Sequence, residues 1–495
     1  MISHTKKFGA VFALATLLLA GCGGGGGGNG GGNGGGNPAP PPTGGITRTG
    51  VAVAVGPITG FGSVIVNGNT YDTSAATFTK DGQPATQDDF AVGQMVLVQG
   101  TIDDDNTNAA ATSVEFDDNV EGPVSSVDSL NNILVVLGQT VHITASTSID
   151  DSCPALLDDF LNVAAVEVSG PVQADRSIEA TRIECKNVVG ELEVTGIVSS
   201  LDTGAKTFMI NALVVDYSAA MLQDFPGGVI SNDDPVEAKD SDGGGLGDAG
   251  ELLATRVEFK GNRFGDNEGD HVEVEGFITR FASATDFDVS GIPVTTTDTT
   301  VFEGGVVADL DVNLKVEAEG EFNSAGVLVA TKLEIKQATA VRVTGVVDSK
   351  TGDTLKILDI TITTDTDKTR FEDKLADVDR FGIGDINPGD YLEVRGQEFP
   401  VGEIFAFILE RDDLRARTEL RGFVEVGGEN RPELTVLGVT IQTNGSTSFK
   451  DSNEVEFANE DDFWAAVGEG SLINVDGTED HPNTLVAEEI ELELE

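Results

Sequence analysis

The residues best placed for chemistry in this 495-residue chain are carboxylates spaced along one short run. Asp240, Asp242, Asp248 and Glu251 fall at positions 1, 3, 9 and 12 of a loop whose sixth residue is Gly245. That is the oxygen spacing of an EF-hand-like calcium loop, where a turning glycine lets the ligands fold round one ion. Gly244 at position 5 offers no side-chain ligand, and the flanks read as strands rather than helices. An acidic hairpin loop is therefore the competing reading. Calcium is the one candidate cofactor, and Asp103-Asp104-Asp105 occupies the corresponding hairpin earlier in the chain.

Other chemistries find less support. With 84 acidic residues, a pair of carboxylates carries almost no information. There is no Gly-x-Ser-x-Gly elbow, no Walker pattern, and no cysteine in the setting of a nucleophile. His4 belongs to the N-terminal segment, and His142, His271 and His481 fall at non-equivalent places, so no Cys/His cluster has zinc spacing. The lone Trp464 follows Phe463 at a recurring apolar position and reads as core rather than as a sugar-stacking platform. These observations predict a protein that is not an enzyme. Cys153 and Cys185 are expected to form a disulfide, two free buried thiols being the alternative.

The N-terminus speaks to location. Lys6 and Lys7 precede an apolar run from Phe8 to Ala20 that is too short to span a bilayer permanently. It closes in Leu19-Ala20-Gly21-Cys22, which resembles a bacterial lipobox, so residues 1–21 read as a lipoprotein signal peptide and Cys22 as the lipidation site. By that resemblance, Gly23 in place of an aspartate favours the outer membrane, with the chain anchored on its periplasmic face or at the cell surface. Residues 22–49 are nearly all Gly, Asn and Pro and read as a tether with a reach of about 25 Å. The formal charge of −54 repels phosphate backbones, so nucleic acid is excluded as a partner; an envelope protein or polysaccharide is expected instead.

These residues must be positioned by β structure. Six segments repeat one order: a strand opening on glycine, a tight turn between two alternating strands, an acidic connection, and two closing strands. The turns read Val-Asn-Gly68, Val-Leu-Gly138, Ile-Asn-Ala212, Val-Ser-Gly291, Ile-Leu-Asp359 and Val-Leu-Gly438. The connections end in Asp89-Phe90, Asp159-Phe160, Asp224-Phe225, Asp309-Leu310, Asp385-Ile386 and Asp462-Phe463. Segments such as 155–162 and 461–467 suit one or two helical turns. Ala-Thr-x-apolar-Glu recurs in the last strand, as an edge or barrel-closing strand with a charged outer face. The predicted fold is all-β: a tandem array of about six small five-stranded OB-like barrels, at 50–118, 119–189, 190–261, 270–337, 340–413 and 418–495. Short linkers between them predict a semi-rigid string of beads with contacts between neighbours.

Gly60-Phe-Gly-Ser-Val-Ile-Val-Asn-Gly68, followed by Tyr71-Asp-Thr73 and Asp81-Gly82, resembles the repeat of an uncharacterised domain family found in Gram-negative lipoproteins. The resemblance covers residues 50–495. It implies a fold and a location, and brings no activity or catalytic residues. The expected function is a non-enzymatic envelope lipoprotein acting as a tandem spacer or binding array, with a calcium-dependent surface binder or adhesin as the alternative. Phe61-Gly62-Ser63 is the one tip that the other copies lack.

Overall fold

The computed structural model describes residues 50–61, 63–102, 109–241, 245–261, 268–336, 341–366, 368–375, 381–398, 402–415, 417–451, 455–481 and 483–493. Cys22, the tether, Asp103-Asp104-Asp105, Gly62 and Asp242 lie outside them. Alternating valine, isoleucine and polar residues make the strands: in Val64–Val66 both valines point inward and are buried. The turns that follow need left-handed backbone at both central residues. Asn67 and Gly68 have φ of 52° and 77°, and Leu437 and Gly438 have 52° and 75°. This mirror-image turn matches the right-handed twist of the flanking strands.

The same ladder order recurs along the chain. In residues 271–335, for example, the long first strand His271–Ser283 pairs antiparallel with Asp286–Val289, which pairs antiparallel with Ile292–Thr295. That third strand runs parallel to the start of Leu328–Ile335, which on its other edge pairs antiparallel with Lys315–Phe322 along its whole length. Lys315–Phe322 returns to the first strand and closes the ring. The order first–second–third–fifth–fourth also joins Gly50–Gly60 to Ala109–Phe116 and Thr418–Asn430 to Thr484–Leu492. In the second, third and fifth segments it is built from shorter pieces, such as Ile178–Glu179 and Arg182–Lys186.

The fourth strand bulges where it meets the fifth. At Gly320 a Cβ would stand 2.0 Å from the Val329 carbonyl oxygen, beside a register shift between Glu319 and Gly320. Gly100, Gly170, Gly396 and Gly477 meet the fifth strand of their own rings as closely. The recurring Asp-apolar dipeptide closes the end of each ring. The Asp89 carboxylate accepts from the Thr86 amide at 2.8 Å, and Asp309 and Asp385 accept likewise from Val306 and Gly382. These bonds hold 3-10 turns at Gln87–Asp89, Val307–Asp309 and Ile383–Asp385. The next residue turns inward: Phe90, Phe160, Phe225, Leu310, Ile386 and Phe463 are all buried. The expected helical turns appear as a 3-10 helix at Leu157–Asn162 and an α-helix at Glu460–Ala466.

The repeats do not follow one another as beads with contacts only between neighbours. Ala52–Val55 of the first pairs in parallel with His271–Val274 of the fourth. Val120–Gly122 of the second pairs antiparallel with Leu192–Ile197 of the third, and Val341–Val346 of the fifth with Thr418–Asn430 of the sixth. The reason lies in the first strand. Only its second half meets the turn hairpin, so its first half keeps an open edge, and an equivalent edge from another repeat covers it. All described residues belong to one compact unit, Thr47–Glu495.

Candidate functional site: a charged junction between repeats

Of the acidic run, the described residues 246–252 form a tight hairpin. Leu246 bridges Leu252, and the Gly247 amide donates to the Glu251 carbonyl at 2.8 Å. The buried Asp240 accepts from the Gly245 amide at 2.8 Å, the Glu251 carboxylate accepts from the Ala249 amide at 2.9 Å, and Asp248 is exposed. Among the described residues, the three-carboxylate clusters close enough to share an ion lie elsewhere. Cys153 and Cys185 are disulfide-bonded, with Sγ–Sγ 2.09 Å. Trp464 is 8% exposed, packs edge-on against Phe463 and donates from Nε1 to Glu460 at 3.0 Å, a core position. His142 lines the third strand of the second repeat, and His271 opens the first strand of the fourth, 3.8 Å from Glu319.

The convergence of charge lies between the rings, where their outer faces meet. In the sheet shared by the second and third repeats, one transverse row reads Glu184, Glu167, Glu121, Glu193, Lys239 and Arg256, each opposite the next. Four carboxylates in succession across adjacent strands repel one another unless cations offset them. Lys186 reaches Glu167 at 2.8 Å and Glu184 at 3.0 Å; Lys80 of the first repeat reaches Glu167 at 3.3 Å. The fully buried Lys239 binds Glu193 at 2.6 Å and Glu237 at 3.1 Å, and donates to the Asp81 carbonyl at 3.0 Å.

Two further carboxylates join this row. Asp81 sits on the left-handed turn Asp81-Gly82 of the first repeat, φ 51° and 76°, which folds its backbone toward the linker; its amide donates to Phe116. Asp118 lies in that linker between the first and second repeats and is 1% exposed. Carboxylate oxygens of Asp81, Asp118 and Glu193 lie within 4.8 Å of one another, and so do those of Asp118, Glu121 and Glu167. Burial, then Glu193, Asp81 and Glu167, push the Asp118 carboxyl well above the carboxylate range. Burial, then Glu237, do the same to Glu193. Burial and Glu167 push Asp81 up to about 6, and burial pushes Glu121 up to about 7.

A second seam joins the second and fifth repeats. Arg395 binds Glu410 and Glu393 at 2.6 Å each and donates to the carbonyls of Ala145 and Thr147 at 3.1 and 2.9 Å. Where the first, second and fifth repeats meet, a cleft of about 410 Å³ is lined by Phe61, Phe371, Phe381, Lys374, Arg182 and neighbouring acids. Several of its charges are already paired: Arg182 with Asp150 inside the cleft, and Asp373 and Lys374 with Arg411 and Glu410 beside it. At a third seam, Asn69 of the first repeat donates to Glu273 of the fourth at 2.7 Å. Burial, then Glu317 and Glu319, push the Glu273 carboxyl well above its ordinary value.

The Ala-Thr-x-apolar-Glu pattern, which ends in Glu184 here, reads in sequence as a strand with a charged outer face, and that reading does not find the junction. The available signal was Asp117-Asp118 in a linker, beside Glu residues at one register of successive strands.

The fold and its charged seams define a tandem β-repeat protein. The family described as Domain of unknown function (DUF5666) matches five times, over residues 54–115, 121–184, 275–334, 344–406 and 421–491, and the chain belongs to it. Residues 190–261 lie outside those matches, although their strands take the same ladder order. No curated protein matches the chain.

Proposed function

We propose that this chain is a non-enzymatic lipoprotein of the cell envelope, whose six OB-like barrels form a stiff spacer and binding body held to the outer membrane through Cys22. The OB-like assignment rests on the strand order first–second–third–fifth–fourth, with a helical turn before the fourth strand. One observation carries the spacer reading: the outer faces of the repeats meet other repeats in polar contacts that cross the seams, such as Lys80–Glu167 between the first and second, Arg182–Glu372 between the second and fifth, and the bonds from Arg395 of the fifth to the Ala145 and Thr147 carbonyls of the second. A body cross-linked in this way transmits position rather than opening around a substrate. Its ligand would be an envelope protein or a polysaccharide, since a net charge of −54 repels nucleic acid.

The anchor is tested by fractionation. Wild type should sediment with outer membranes and Cys22→Ser should be released; a variant that still sediments overturns the reading. The alternative is a calcium-dependent surface binder built on Asp240, Asp242, Asp248 and Glu251, favoured by the hydrogen bond that the Gly245 amide donates to Asp240. A calcium-induced rise in melting temperature that Asp248→Asn abolishes would carry it.

A further inference from the structure

We propose that Asp118 and its four carboxylate neighbours form a divalent-cation site, of the calcium class, that stitches the first three repeats together. The site goes beyond the anchored-spacer reading and shares no residue with the loop at 240–251. Its ligands come from three repeats and a linker: Asp81 from a turn of the first, Asp118 from the linker, Glu121 and Glu167 from adjacent strands of the second, and Glu193 from the third.

Proximity of acids alone would not carry this. Asp118 is 1% exposed, and neither of its carboxylate oxygens has a hydrogen-bond partner among the described residues. A buried carboxylate with no donor is among the costliest arrangements a fold can hold. Its oxygens belong to both close trios, so Asp118 sits at their centre. Glu193 points the same way: one oxygen is held by Lys239, and the other is buried and without a hydrogen-bond partner.

Charge balance sets the kind of ligand. Five carboxylates face Lys80, Lys186 and Lys239, and two of those lysines also serve Glu184 and Glu237. At least two negative charges are left over, which one dication offsets. Every available donor is a hard oxygen, with no imidazole or thiolate in either trio, so the set suits calcium rather than zinc. Oxygens within 4.8 Å of one another can meet around an ion at calcium–oxygen distances of about 2.3–2.6 Å.

The competing account keeps the same acids protonated and cation-free. The full chain, stripped with a chelator and dialysed against calcium at neutral pH, separates the two. Metal quantification should find one calcium fewer per chain in Asp118→Asn and in Glu193→Gln than in wild type, while Asp248→Asn loses none from this site. Wild type should gain roughly 3 °C in melting temperature at a hundredfold excess over Kd, and the two junction variants should not. Cys22→Ser should behave as wild type here, so this result and the fate of the anchor are read separately. If Asp118→Asn and Glu193→Gln hold as much calcium as wild type, or wild type holds none, the site is overturned. An Asp118→Asn chain that melts higher than stripped wild type while wild type ignores calcium would establish the protonated account instead.

Discussion

At the scale of single residues, the chain places carboxyl groups where solvent cannot reach them. Glu273 shows the consequence most simply. Its pKa is raised in the folded state, so it contributes stability that is present below the ordinary carboxylate value and is lost as pH rises through the raised one. Melting temperature should therefore fall as pH rises above the ordinary carboxylate range, and Glu273→Gln should flatten part of that slope. Thermal melts in chelator over that rise in pH decide it; a slope unchanged in the variant would remove Glu273 from the account. The replacement keeps an oxygen to accept from Asn69, so the hydrogen bond is not what is being tested.

At the scale of elements, two kinds of glycine do different work. Gly320 lies at a bulge, where any Cβ would meet the Val329 backbone oxygen; Gly291 lies on a turn at φ 80° with open space around it. Gly320→Ala must push two strands apart and should cost about 1–3 kcal/mol or more. Gly291→Ala should cost only about 1 kcal/mol, the price of a left-handed alanine. Chemical denaturation of the two variants should rank them in that order. Both glycines stand out in the sequence, but only the ladder register distinguishes a turn from a collision between strands.

At the scale of the molecule, the seams hold separate rings in one body. Arg395 is the central pin of the seam between the second and fifth repeats, reaching two carboxylates of its own repeat and two carbonyls of the other. Arg395→Ala leaves Glu410 buried without its closest cation and should cost about 3–5 kcal/mol. It should also loosen the fifth and sixth repeats from the second, read as a larger radius of gyration in solution scattering. Because the pair is buried, added salt should do little to wild type at this seam. An unchanged radius with lowered stability would confine the role of Arg395 to its own repeat.

Sequence alone determined the local units. Alternating valines set the faces of the strands, Asn-Gly and Ser-Gly pairs set the turns, and the Asp-Phe dipeptide set the capped turn and its inward plug. Each depends on residues close together in the chain, so its pattern survives in one dimension. Tertiary structure decided how the units meet. That the first repeat pairs with the fourth follows from which half-strand edge is left open, and that Lys239 neutralises Glu193 and Glu237 follows from register between strands. The charges read as a solvated face because outward-pointing residues of one ring look the same in sequence whether water or another ring lies opposite. Only the packing shows that the linker residue Asp118 stands buried among carboxylates from three repeats.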